Sequence, residues 1–245
     1  MTRVGVLCLH GLGGSPHSVQ PITQALRQAG YLVAAPLLAG HGTRPSDLAD
    51  CTWIDWLSGA NEVAQDLAND CDAIVIVGQS LGASLAIVMA ARRDDVVGLA
   101  VINPLVVPAD PDTTEHLEYL LSRGRTMQPA GEPDVRDPTA HDETYNELPL
   151  QSLLELDKAA GAAAAAARLV RGSVLVVSSD YDNVVDPTNS DVLATKLTSG
   201  AATGVTRLRL ANSGHVAALD LDRDLLCREL LTWLANLTDS SASAG

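Results

Sequence analysis

The segment from Asp72 to Ala91 constrains this chain more than any other. Asp72-Ala73-Ile74-Val75-Ile76-Val77 is a β-branched run of the kind found in strands covered on both faces. It ends directly at Gly78-Gln79-Ser80-Leu81-Gly82, and Ala83 to Ala91 then reads as a helix. A G-x-S-x-G pentapeptide between a buried strand and a helix is a sharp turn that lifts the serine hydroxyl above a sheet. Glycine at 78 and 82 removes Cβ atoms that would collide as the helix packs back on the strand. The helix N-terminus brings free N–H groups and the positive end of its dipole to the same place. Ser80 is therefore the candidate nucleophile.

Similar alternation runs along the chain. Strands are expected at Val4–Leu9, Tyr31–Ala35, Ala73–Val77, Val97–Ile102, Val174–Ser178 and Val205–Leu210. Helices are expected near 18–29, 54–69, 82–92, 188–198 and 219–236. Strand–helix alternation implies an α/β architecture, a mostly parallel sheet flanked by helices, with ligands beyond the carboxyl ends of the strands.

Two further motifs follow Ser80 in chain order. Ser213-Gly214-His215 comes after the last strand, on the face where Ser80 is expected, and imidazole is the natural base for a serine hydroxyl near neutral pH. One strand earlier, Asp180-Tyr181-Asp182-Asn183-Val184-Val185-Asp186-Pro187 offers three carboxylates. Asp182 best fits a D-x-x-V-x-P pattern; Asp180 reads as a turn residue and Asp186 as a helix cap. The acid would hold His215 in one tautomer and stabilise its imidazolium. His10-Gly11-Leu12-Gly13-Gly14 ends the first strand, and its glycines let N–H groups turn inward. The N–H groups of Leu12 and Leu81 are the candidate oxyanion donors. The loop lacks the spacing and the G-K-[ST] ending of a phosphate loop, and His10 is expected to order it.

Regularity breaks between Val107 and Glu147. Residues 108–147 carry ten carboxylates against three arginines, a net −7, half of the −14 of the whole chain. His116–Arg123 reads as a short helix with Leu117, Leu120 and Leu121 on one face. A second amphipathic helix starts at Leu150, Leu153 and Leu154 and runs into the alanines 162–167, which read as a close helix–sheet contact. The expected organisation is one domain from 1–107 and 148–237, a small cap at 108–147 after the fourth strand, and a flexible tail at 238–245. The expected pocket wall is Leu12, Leu81, Leu105, Val106, Leu153 and Val184, with Leu117, Leu120 and Leu121 beneath the cap receiving an apolar chain.

Composition narrows the partners. The acidic charge opposes nucleic acid and anionic membranes. No run of about 18 apolar residues crosses a membrane, and MTRVGVLCLHG lacks the pattern of a secretory leader. Cys8, Cys51, Cys71 and Cys227 have neither CxxC spacing nor a histidine cluster, so buried free thiols in a reducing, cytoplasmic setting are expected, with no metal and no cofactor.

His10–Gly14, Gly40-His41-Gly42, Gly78–Gly82, Asp182–Pro187 and Ser213–His215, in this order, resemble the small bacterial carboxylesterase and monoacylglycerol lipase group of α/β-hydrolases. The resemblance spans residues 4 to 236. It implies the α/β-hydrolase fold with a small cap, Ser80, Asp182 and His215 as catalytic triad, and the Leu12 and Leu81 N–H groups as oxyanion hole. Where relatives often carry an aromatic residue, this chain has Leu12; the donor is backbone, so the hole survives with a wider wall. The expected activity is hydrolysis of a small-molecule carboxylic ester, neutral and with a medium to long acyl chain. Lactones, thioesters and amides are alternative substrates, and a non-catalytic receptor on the same fold is the alternative class. Dehalogenases and epoxide hydrolases are disfavoured, since they place aspartate on the same turn.

Overall fold

A computed structural model describes residues 3–242. The chain order is β1 (Val4–Leu9), α1 (Gln20–Gln28), β2 (Leu32–Ala34), α2 (Pro45–Ala49), α3 (Trp53–Ala68), β3 (Ala73–Gln79), α4 (Leu81–Arg92), β4 (Val96–Ile102) and α5 (Pro111–Ser122). It continues with β5 (Met127–Pro129), β6 (Glu147–Pro149), α6 (Leu150–Ala166), β7 (Gly172–Ser179), α7 (Thr188–Thr198), β8 (Ala202–Leu210) and α8 (Arg223–Ala242). Six strands form one sheet in the order β2-β1-β3-β4-β7-β8, with every pairing parallel.

The two-residue period of a strand sends alternate side chains to opposite faces. Val4, Val6, Cys8, Val75, Val77, Ala100 and Ile102 pack under α1 and α8 with Ile22, Leu26, Leu226, Leu230 and Leu234. Leu7, Leu9, Ile74, Ile76, Leu99 and Val101 pack on the other face with Trp56 of α3, Leu85 and Met89 of α4 and Leu193 of α7. Both faces of the inner strands β1, β3, β4 and β7 are covered, which is why their centres read as apolar runs, whereas the edge strands β2 and β8 are partly exposed.

Several expectations are corrected. The alanines of α6 pack it against α4 rather than against the sheet, because small side chains let two helices approach closely; Ala159, Ala160 and Ala163 are fully buried. The cap helix begins at Pro111, earlier than His116, because Asp110 accepts a hydrogen bond from the Thr113 N–H (2.9 Å) and caps it. β5 and β6 pair as a short antiparallel ribbon within and just after this insertion. The expected tail begins as a continuation of α8 to Ala242, as no proline or glycine interrupts the chain there; 243–245 lie outside the described residues. The cysteines are unpaired; Cys8 is buried, whereas Cys51, Cys71 and Cys227 are half-buried because they sit on the rims of the two cores. Among the described residues no helix is long and apolar enough to cross a membrane.

Candidate active site

The chain leaves β1 on one side of the sheet and re-enters it at β3 on the other, so the loops after these neighbouring strands diverge and open a crevice. Ser80 stands there, between the last residue of β3 and the first of α4. Its φ is +56° and its ψ −119°, a conformation that costs a non-glycine residue about 1–3 kcal/mol. Close packing enforces it. A Cβ on Gly78 would lie 2.3 Å from the Gly82 carbonyl oxygen, and one on Gly82 would lie 2.3 Å from that of Leu9. The Ser80 N–H donates to the Ile102 carbonyl (3.0 Å), tying the turn to β4.

Leu81 is the first residue of α4, so its N–H has no acceptor within the helix. The loop after β1 faces it. A Cβ on Gly11 would sit 3.3 Å from Ser80 Cβ and 3.8 Å from its hydroxyl, so glycine keeps open the space where a carbonyl oxygen would lie. His10 orders this loop, as expected. Its Nε2 accepts from the Leu38 N–H (3.1 Å), and its Nδ1 donates to the Gly11 carbonyl (2.9 Å). Burial, helped by neighbouring His41, holds its pKa down to about 3, so this imidazole is neutral. Cap residues support the loop too: Thr144 Oγ1 and the Tyr145 N–H both donate to the Gly13 carbonyl (3.1 and 2.9 Å).

The loops after β7 and β8 bring a carboxylate and an imidazole together. His215 Nδ1 lies 2.8 Å from Asp182 Oδ2, with the two side chains 10% and 2% exposed. The second Asp182 oxygen accepts from the N–H groups of Val184 (2.9 Å) and Val185 (2.8 Å), which fixes the carboxylate. Three carboxylates in this loop thus take three separate places. Asp180 pairs with Arg209, and Asp186 accepts from the Thr188 N–H at the start of α7 (2.9 Å). That bond holds the Asp186 carboxyl below its ordinary value. No hydrogen bond joins Ser80 to His215 among the described residues; bonds of this type commonly tighten only around substrate.

Ser80 and His215 line one cavity of about 180 Å³ together with Gly11, Leu12, Leu153 and Val184, and residues 130–134, Asp142, Thr144 and Leu148 also line it. Leu81 is buried, so only its backbone can serve this space. A second cavity of about 630 Å³ shares Leu153 and Leu156 with the first and is also lined by Leu105, Val107, Leu117 and Gln128. Leu105 and Leu117 therefore belong to the adjoining space, not to the wall beside Ser80.

Three expected pocket residues are elsewhere. Val106 is core, its N–H donating to Asn189 Oδ1 (2.9 Å). Leu121 lines a polar groove with Leu154 and Lys158, and Leu120 lines neither cavity. α5 lies against α6 with none of its own residues fully buried, and of its three leucines only Leu117 lines the second cavity. Sequence reasoning missed Asn103 and Asp134, which bracket His215. Asn103 directly follows β4 with a φ of +46° and donates from Nδ2 to the His215 carbonyl (2.8 Å). Asp134 Oδ2 accepts from the His215 N–H (2.9 Å). An asparagine before proline at a strand end, tolerant of positive φ, was the available signal for Asn103. Among the described residues no group of three His, Cys, Asp or Glu side chains is arranged to hold a metal ion.

Residues 6–229 match the sequence profile described as the alpha/beta hydrolase family. The chain belongs to the alpha/beta hydrolase family. It is 32% identical to a thermostable monoacylglycerol lipase of Bacillus sp. over 237 residues, 95% of this chain and 90% of that one. It is 23% identical to a carboxylesterase of Bacillus subtilis, covering 95% of this chain and 92% of the other. A solved structure reported for LipS and LipT, two metagenome-derived lipolytic enzymes, superposes with a TM-score of 0.89 at 28% identity, over 96% of this chain and 94% of that chain. This alpha/beta hydrolase thus groups with lipases and esterases of the family.

Proposed function

We propose that the protein is a serine esterase acting on neutral carboxylic esters with medium to long acyl chains, such as monoacylglycerols. The observation that carries the reading is the His215–Asp182 pair facing the cavity into which the strained Ser80 turn projects. Ser80 Oγ attacks the carbonyl while His215 takes its proton, and the N–H groups of Leu12 and Leu81 stabilise the oxyanion. His215 then protonates the leaving alcohol, and water cleaves the acyl-enzyme by the same route.

The lining supports the substrate class. Glu132, Asp134 and Asp142 face the cavity with Ser80, and neither lysine nor arginine does, so an anionic ester meets like charge. The larger adjoining cavity, entered past Leu153 and Leu156, suits an acyl chain. Among the described residues, Gln79 Oε1 and Asp142 Oδ1 are buried and meet no hydrogen-bond partner, and both residues line the smaller cavity. Unpaired acceptors of this kind favour an alcohol half that carries free hydroxyls, which would donate to them.

The test is the specificity constant across glycerol and methyl esters of increasing acyl length, with an anionic ester of matched length at low and high salt. The reading expects the glycerol esters to lead, a rise with chain length, and an anionic ester that improves as salt screens the carboxylates. Equal constants for neutral and anionic esters at low salt would refute it.

A further inference from the structure

Asp134 belongs to the cap, yet its side chain ends between the two loops that carry Asp182 and His215. Its Oδ2 accepts from the backbone N–H of His215 (2.9 Å) and of Asn183 (2.8 Å), and its Oδ1 accepts from Asn183 Nδ2 (2.8 Å). Its own carbonyl accepts from the Val216 N–H (3.2 Å). Gly214 makes the approach possible, since a Cβ there would lie 2.7 Å from the Asp134 carbonyl oxygen. Two residues on, the same arm is held by Asp220. Its carboxylate accepts from the N–H groups of Arg136 (3.0 Å), Asp137 (2.8 Å) and Gly214 (2.7 Å).

These bonds have a mechanical consequence. The loops after β7 and β8 are joined directly by a Tyr181 N–H to Ser213 carbonyl bond (3.2 Å) and by the 2.8 Å His215–Asp182 bond, which the reaction itself polarises. One carboxylate that takes an N–H from each loop gives them a common anchor independent of that bond, and hydrogen bonds to a charged acceptor are the strong ones. His215 is then held at both ends of its backbone, by Asp134 at the N–H and by Asn103 at the carbonyl. The anchor lies on the arm whose preceding residues, 130–133, line the cavity beside Ser80.

We propose that Asp134 is a positioning residue through which the cap arm sets the register of the acid and base loops, so that the cap is part of the catalytic scaffold as well as a cover. The proposal rests on the reading of His215 as the base. The experiment is steady-state hydrolysis of a neutral ester by Asp134→Ala, Asp134→Asn and Asn183→Ala. Turnover is expressed per active site, counted by fluorophosphonate titration to completion, and thermal melting is followed in parallel. His215→Ala is run as the reference for loss of the base, and Glu115→Ala, an exposed cap carboxylate on α5, as the reference for loss of charge.

Asp134→Ala is expected to lower kcat by about 10- to 100-fold with KM within about twofold, as misplacement of a reacting group by a fraction of an ångström does. Asparagine can still offer one oxygen to the two backbone N–H groups, so Asp134→Asn should fall between wild type and alanine. Asn183→Ala removes only the side-chain donor and should shift kcat the same way by less. If Asp134→Ala does not fold, the asparagine and Asn183 variants carry the test. Unchanged kcat per titrated site, a loss in KM alone, or an equal loss in Glu115→Ala overturns the proposal while a dead His215→Ala leaves the site reading standing. Turnover surviving in His215→Ala overturns both.

Discussion

Replacing Gly82 with alanine tests whether close packing sets the turn at Ser80. A Cβ at 82 would stand 2.3 Å from the Leu9 oxygen, 2.6 Å from the Leu9 carbonyl carbon and 2.7 Å from the His10 oxygen, all backbone atoms of β1 and the loop after it. No flexible side chain is available to give way. To reach a bare 3.0 Å the start of α4 and the end of β1 must part by about 0.7 Å, still inside the contact distance at which dispersion is favourable. Overpacking of this kind costs about 1–3 kcal/mol. In a chain this long each kcal/mol moves Tm by about 2–4 °C, so a fall of roughly 2–12 °C is expected. The same displacement separates the Leu81 N–H and Ser80 from the Leu12 side of the crevice, and a shift of this size can cost about 10²-fold in turnover. Gly59 is the control. It lies within α3, a Cβ there meets nothing within 4 Å, and alanine should raise stability by about 0.5–1 kcal/mol without changing kcat. Calorimetry and ester hydrolysis on both variants decide the matter. Wild-type turnover in Gly82→Ala, or a comparable loss in Gly59→Ala, would refute the argument.

Other outcomes follow from the same geometry. Asp182→Asn should cut turnover by roughly 10⁴-fold, while Asp180→Asn, which breaks only the pair with Arg209, should be mild; the reverse order in kcat would reassign the acid. His10 is neutral in the fold with its pKa held to about 3 against 6.5 unfolded, so its contribution to stability is full above pH 6.5 and is lost as pH falls toward 3. Urea titrations should show stability falling by up to about 1.4 kcal/mol per pH unit from this group below pH 6.5, a slope that His10→Gln should lack. A flat profile in the wild type between pH 6.5 and 4.5 would contradict that account. The proposed chemistry needs a serine, an imidazole and backbone donors, so activity should survive EDTA; loss that zinc restores would speak against it.

How much of this was legible depended on whether the physical demand was local. Gly78, Ser80 and Gly82 stand within five residues, and the clashes that force glycine involve the turn itself and the neighbouring strand, so the pentapeptide in its setting was enough. The inner strands β1, β3, β4 and β7 were legible because burial on both faces leaves their centres apolar, whereas the edge strand β8 carries exposed Thr206, Arg207 and Arg209. Asp182 was separable from Asp180 and Asp186 only by pattern; their different partners, His215, Arg209 and Thr188, are facts of three dimensions. Asp134 was invisible because its partners are 49 and 81 residues away and no local spacing marks it. Leu117, Leu120 and Leu121 share a face on paper, but where α5 lies relative to α6 decides which of them meets a cavity, and that placement is tertiary. The ribbon of β5 and β6 escaped notice because each strand has three residues, one of them proline.

The central claim, an acyl-enzyme on Ser80, is tested most directly by rapid mixing with a chromogenic ester, followed by acid quench and peptide mapping. The account predicts a burst of alcohol close to one per active site and an acyl group on the peptide that contains Gly78–Gly82. In Ser80→Ala, still folded by its melting curve, burst and adduct should vanish and turnover should fall on the order of 10⁶-fold. An adduct on another residue, or undiminished turnover in Ser80→Ala, would contradict it.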